Sequence, residues 1–205
     1  MVDLTRLYDA VLKGDNKGAA AVTREALAEG VEALELLSKY VVPAMDEVGR
    51  LYDCEDYFVP ELLLAIRAMK AAVELIKPGE PVGRVVIGTV RGDLHDIGKN
   101  LIAGMLQGGG FEVIDLGTDV PPDRFVAAVQ EKNADIVALS ALLTVTMPSM
   151  KTTVEALRSA GIRDRVKVLI GGAPVTQEYA DQIGADGYGS NAASAVPLAR
   201  KVLGK

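Results

Sequence analysis

His95 is the only histidine in the chain, and Asp93 stands two residues before it. An aspartate at that spacing can bond one imidazole nitrogen and hold the other outward. Two further clusters carry polar or unusually small side chains. Ser140, Thr144 and Thr146 place three hydroxyls within 140–146, and Gly171 and Gly172 form a pair before Ala173-Pro174. Hydroxyls offer hydrogen bonds without bulk, and paired glycines let a backbone come close to something. A bulky ligand fits such a set better than a phosphate does. No Gly-x-x-x-x-Gly-Lys-Ser/Thr stretch is present, and no Gly-x-Gly-x-x-Gly follows the first apolar run of the second half.

Taken singly, each cluster also has an ordinary reading. A histidine after a strand is commonly a loop or capping residue. Asp93 could cap the helix that follows it. Ser140 and Thr144 could form a strand-end turn, Gly-Gly is a common turn, and Phe58 could be a core or staple residue. Cys54 has no partner for a disulfide, since it is the only cysteine.

The elements that would position these residues follow from hydrophobic period. Before residue 78 the period is helical: Leu4 to Leu12, residues 17–28, Val31 to Val48 and the stretch after Pro60. Gly14 and Gly30 break these runs, and Asp15 or Asn16 can cap the second helix. Pro43 falls inside the third, where it should kink the helix or mark a junction of two. Tyr52 to Phe58 reads as a loop, and Pro60 suits a first helical turn. Four helices with short breaks predict an antiparallel bundle.

Lys77-Pro78-Gly79-Glu80-Pro81-Val82-Gly83 reads as a linker, with two prolines and two glycines that suit neither a helix nor a central strand. It divides a helical domain, residues 1–80, from a second domain, residues 82–205. Beyond it short apolar runs at 84–90, 111–116, 135–140 and 167–172, with a weak fifth at 186–189, alternate with helices near 97–108, 122–132, 147–160, 176–183 and 191–203. That alternation predicts a five-stranded parallel sheet with right-handed crossovers, a flavodoxin-like (Rossmann-like) α/β domain. Asp93 and His95, Ser140 to Thr146, and Gly171-Gly172 then all follow strands. They share the carboxyl edge, where open parallel sheets bind ligands.

Composition narrows the class. Hydrophobic residues at 49% supply a core, and charged residues at 24% are ordinary for a soluble protein. A formal net charge of −6 without a run of Lys and Arg argues against nucleic acid. The first residues lack a signal-peptide pattern, and no apolar stretch approaches the roughly 20 residues of a membrane helix. A cytoplasmic protein that does not enter the membrane is expected.

The motifs and their spacing resemble the cobalamin-binding domain of corrinoid methyl carriers and methionine synthase. Asp93-Leu94-His95-Asp96-Ile97-Gly98 has the form Asp-x-His-x-x-Gly. Ser-x-Leu follows as Ser140-Ala141-Leu142, and Gly-Gly as Gly171-Gly172, with 99–139 and 143–170 between them. The first half, notably Tyr57-Phe58-Val59-Pro60-Glu61-Leu62-Leu63, is similar to that family's helical cap. The resemblance spans nearly the whole chain.

It implies that His95 replaces the cofactor's own base as the lower axial ligand of cobalt, with Asp93 holding its other nitrogen. The family extends this relay to a hydroxyl six residues beyond the Ser of Ser-x-Leu, here Thr146 rather than the usual Ser. Asp96, Ile97, Gly98, Ser140, Leu142, Thr144, Gly171 and Gly172 would contact or make room for the cofactor, and Phe58 would shield its upper face. The cofactor would be cobalamin, passing through methylcobalamin and Co(I), Co(II) and Co(III) forms. The implied partners are a substrate-specific methyltransferase, a second methyltransferase to a C1 acceptor such as tetrahydrofolate or coenzyme M, and a reductive activator. The chain is not expected to catalyse alone. A cobalamin-dependent sensor without catalysis is the alternative. A mutase subunit fits less well, because such subunits lack the helical cap.

Overall fold

A computed structural model of the chain describes residues 2–76 and 80–205. Lys77, Pro78 and Gly79 of the expected linker lie outside the described residues. The chain divides into two compact units. One holds Met1–Val82 with Gly104–Gly110; the other holds Gly83–Ala103 with Phe111–Lys205.

The first unit is helical: α1 (Thr5–Leu12), α2 (Asn16–Ala28), α3 (Ala33–Leu36), α4 (Val42–Asp53) and α5 (Val59–Val73). α2 packs on α5 and α1, and α1 packs on α4. Leu7, Val22, Met45, Val48, Leu62 and Met69 are buried between them. Gly14 turns with φ 72°, and the Asp15 carboxylate caps α2 by accepting the Gly18 N–H at 2.9 Å. Pro43 stands in the first turn of α4, so it marks a junction of two helical segments. The junction is a π-helical turn, Leu37–Val41, that joins α3 to α4, and the Val42 N–H reaches back to the Leu37 carbonyl. The wider turn suits a ring that has no N–H to give and would crowd the carbonyl four residues earlier. α4 also runs through Tyr52 and Asp53, so the loop before α5 is shorter than the sequence suggests. The second half of α6, described below, groups with this unit. Gly104 and Gly108 let Ile66 and Met45 pack onto its backbone, since an added Cβ would lie 2.7 Å and 2.8 Å from them.

The second unit is a five-stranded parallel sheet of order β2-β1-β3-β4-β5. Its strands are β1 (Arg84–Thr89), β2 (Glu112–Asp115), β3 (Ile136–Ser140), β4 (Lys167–Gly171) and β5 (Gly187–Gly189). Between and after them run α6 (Ile97–Gly108), α7 (Pro122–Lys132), α8 (Pro148–Ser159), α9 (Gln177–Ile183) and α10 (Ala195–Val202). This is the flavodoxin-like arrangement expected from the alternating pattern. Val86, Val137, Val168 and Ile170 meet Phe125, Met150 and Leu157 in one continuous core. Full burial of the Phe125 ring contributes about 2–3 kcal/mol. Gly88 leaves room for that ring, because a Cβ there would sit 2.8 Å from Phe125 Cζ. On the other face Leu198 of α10 packs at Gly187 and Leu169.

Register aligns the strand ends. Thr89 pairs with Ser140, Ser140 with Gly171, and Gly171 with Gly189. One row across four strands therefore marks the carboxyl edge, and the loops that leave it begin level with one another.

Candidate functional site

β1 delivers its chain to the carboxyl edge, where residues 91–96 form the first loop. Asp93 is buried, and its side chain has no accessible surface. Its Oδ1 accepts from His95 Nδ1 at 2.7 Å and from the His95 N–H at 3.1 Å. Its Oδ2 accepts from the Leu142 N–H at 2.8 Å, the Leu143 N–H at 3.3 Å and the Thr146 hydroxyl at 2.7 Å. The Thr146 hydroxyl also lies 2.8 Å from the Leu143 carbonyl. It has a single proton, and the charged oxygen is the stronger acceptor.

Burial alone would raise the Asp93 carboxyl. The hydrogen bonds from Thr146, the His95 ring, the Leu142 N–H and the His95 N–H outweigh it and hold the group well below the usual carboxylate range. The carboxylate is therefore ionised near neutral pH and can only accept. It follows that the proton between it and His95 belongs to Nδ1. Nε2 is the nitrogen left for a ligand, and the ring is half exposed, at 50%. The side chain of Asp93 does not cap α6; its oxygens are taken up by His95 and by the loop after β3.

The His95 main chain is fixed as well. Buried Thr89, at the end of β1, donates its hydroxyl to the His95 carbonyl at 2.8 Å. Asp96 accepts the Asn100 N–H at its carbonyl, 2.8 Å, and the Asn100 amide at its carboxylate, 3.1 Å. These bonds shape the first turn of α6. Next to it Lys99 is buried, and its ammonium bonds Asp115 and the Asn100 side-chain oxygen.

The surface around the histidine is apolar. Leu94 is 73% exposed, Ile97 72% and Val145 80%, and Leu142 and Leu143 are partly exposed. Gly98 is exposed, and a Cβ built on it would meet nothing within 4 Å. Thr144 is exposed on the same loop as Leu142. A half-buried Ser140 and a buried Gly171 sit side by side in the strand-end row.

Gly172 has a different reason for being glycine. It has φ 133°, and a Cβ would lie 1.8 Å from the Ala141 carbonyl oxygen. The close approach read from the Gly-Gly pair is in this instance met by the protein's own backbone.

Phe58 belongs to the helical unit. It precedes α5, its N–H donates to the Glu61 carboxylate at 3.0 Å, and its ring is 62% exposed beside exposed Val59, Leu63 and Leu64. Sequence reasoning missed Thr89, Leu143 and Lys99. Thr89 and Leu143 act through groups that any threonine or any backbone offers, so residue type carries no signal for them.

Among the described residues, no group of three or more His, Cys, Asp or Glu side chains could hold a metal ion. A metal at His95 Nε2 must bring its other ligands with it, as a macrocycle does. The exposed apolar rim and the open space at Gly98 suit a large planar ligand of that kind. The donor set fits too: a single imidazole nitrogen on a half-exposed ring whose other nitrogen a buried carboxylate holds.

Comparison with known proteins agrees with this geometry. Residues 83–196 match a family described as a B12 binding domain, and residues 3–77 match a second family of the same description. The chain is 44% identical over 208 residues to trimethylamine corrinoid protein 1 of Methanosarcina acetivorans, covering 98% of this chain and 96% of that one. A crystal structure of a cobalamin-binding protein from Desulfitobacterium hafniense superposes with a TM-score of 0.83 at 38% identity, covering 98% of both chains. The methanol:cobalamin methyltransferase complex of Methanosarcina barkeri contains a chain similar to this one. The TM-score is 0.88 at 30% identity, covering 98% of this chain and 80% of that one.

Proposed function

The chain belongs to the B12-binding corrinoid proteins of methyltransferase systems, and on that premise we propose that it holds cobalamin base-off with His95 on cobalt and carries a methyl group between two methyltransferases. When bound, cobalamin supplies the metal centre that accepts and surrenders the methyl group.

The protein's own residues do the rest. Asp93 keeps the Nδ1 proton in place, so Nε2 faces outward with its lone pair free. Thr146 and the Leu142 N–H keep Asp93 charged and still. The Asp93 carboxylate would hold the ring in that one orientation towards the metal. Leu94, Ile97, Leu142 and Val145 cover apolar ligand surface and exclude water. Asp96, Gly98, Ser140, Thr144, Gly171 and Gly172 complete the lower face. Residues 1–80 form the cap domain and residues 82–205 the cobalamin-binding domain.

The partners are a substrate-specific methyltransferase, a second methyltransferase to a C1 acceptor such as tetrahydrofolate or coenzyme M, and a reductive activator. The donor is set by the first of these enzymes, and methylated amines are the first donors to assay, given the relative named for trimethylamine.

The observation that carries the reading is the 2.7 Å bond between buried Asp93 and the half-exposed His95 ring. The test mixes the cobalamin-loaded protein with a partner methyltransferase and a methylated amine. The expected result is a methylated cofactor on this protein, seen by absorbance, which a second methyltransferase then demethylates. Tight cobalamin binding without methyl movement across the partner enzymes would contradict the carrier role and favour a sensor.

A further inference from the structure

One set of hydrogen bonds is built around the main chain of the His95 loop and involves none of the side chains assigned to the cofactor. Gly92 turns with φ 85°, and its N–H donates to Asp119 Oδ1 at 2.7 Å. The Asp119 N–H donates back to the Asp93 carbonyl at 2.9 Å. Asp119 thus grips both sides of the Gly92–Asp93 peptide. It does so from φ 53°, in the left-handed region that residues with a Cβ seldom adopt. Such a conformation persists where the surroundings over-determine it, and it concentrates at functional sites.

The residues flanking Asp119 tighten the same junction. Val120 donates its N–H to the Thr89 carbonyl at 3.0 Å, and the Gly117 carbonyl accepts the Thr89 N–H at 2.9 Å. Asp119 itself is exposed, so its contribution to the core is small. What its two bonds determine is the direction in which Asp93 and, two residues on, His95 leave β1.

We propose that Asp119 is a positioning residue for the axial histidine: by clasping Gly92 and Asp93 it holds the loop in the form that presents His95 Nε2, and so sets the balance between His-on and His-off cobalt. This rests on the reading of His95 as the cobalt ligand. The carboxylate oxygen matters here as an acceptor for a backbone N–H, and its charge is secondary. The left-handed backbone matters independently of that acceptor.

Those two roles can be separated. Asp119→Asn keeps an acceptor oxygen and tolerates the left-handed region. Asp119→Gly keeps the backbone freedom and removes the acceptor. The full chain is loaded with cobalamin and reduced to the Co(II) state. The His-on fraction is read from the nitrogen splitting in its electron paramagnetic resonance spectrum, against total cobalamin from absorbance. Amide exchange at Gly92 is measured on the apo protein. Wild type and Asp119→Asn should be equally His-on. Asp119→Gly should shift the His-on/His-off equilibrium by roughly three- to tenfold toward His-off, as loss of one hydrogen bond would, with faster exchange at Gly92.

An unchanged His-on fraction in Asp119→Gly, with wild type His-on, overturns the proposal alone. A defect in Asp119→Asn as large as that in Asp119→Gly overturns it too, because the acceptor would not be the cause. Wild type without His ligation overturns the underlying reading and the proposal together. Should Asp119→Gly not fold, Asp119→Glu displaces the acceptor by one methylene and is read by the same criteria.

Discussion

Thr146→Val removes the hydroxyl that donates to Asp93 and changes side-chain size little. The residue is 6% exposed, so water does not replace the lost bond easily. Asp93 Oδ2 keeps the Leu142 N–H at 2.8 Å and a long bond from the Leu143 N–H at 3.3 Å. A hydrogen bond to a charged group contributes about 1.5–3 kcal/mol. With one good partner remaining, the loss should fall near the lower end, about 1.5–2 kcal/mol. Urea denaturation of the apo protein, followed by circular dichroism, measures it.

The pH dependence follows from the sign of the Asp93 shift. Its folded-state pKa is depressed, so its contribution is complete above the unfolded value of about 3.9 and is lost as pH falls through the folded value. The variant carboxyl is less depressed and loses its contribution sooner. The difference between the two proteins should therefore be flat from about pH 7 to 5 and narrow only in stronger acid. Thr146→Ser should recover most of the stability. A Thr146→Val protein within about 0.5 kcal/mol of wild type at neutral pH would refute the reasoning, because the Thr146–Asp93 bond would then not hold the carboxylate.

Other expected outcomes separate scaffold from site. Gly172→Ala should be severely destabilising, costing about 3 kcal/mol or more, because its Cβ would lie 1.8 Å from the Ala141 carbonyl; thermal melts of the apo protein check this. Gly98→Ala meets nothing within 4 Å and should leave the apo melt unchanged or raise stability by up to about 1 kcal/mol, while cobalamin titration shows weaker binding. Gly98→Ala binding cobalamin as wild type does would remove Gly98 from the cofactor surface.

Much of this fold is legible in the sequence because the three central strands, β1, β3 and β4, are short apolar runs between helical periods. Val85 to Ile87 and Val168 to Ile170 are buried on both faces, as such runs suggest. The π turn before Pro43 was not legible, since a proline alone does not say whether a helix bends, stops or widens. The Asp93–His95 pair was legible from spacing, and the Thr146 hydroxyl from the resemblance. Asp119 was not: it meets backbone groups through a left-handed turn, and neither leaves a residue pattern. Gly172 shows the converse case, a legible glycine whose need arises from a neighbouring carbonyl.

The central claim is that His95 replaces the cofactor's base on cobalt. Because the chain has a single histidine, untagged protein grown with nitrogen-15 histidine labels only that residue. Its Co(II) cobalamin complex is examined by electron paramagnetic resonance. The account predicts that the triplet splitting of an ordinary nitrogen ligand becomes a doublet on labelling, and that His95→Ala loses the splitting. A triplet that labelling leaves unchanged would mean the cofactor's own base remains on cobalt, and the account would be wrong.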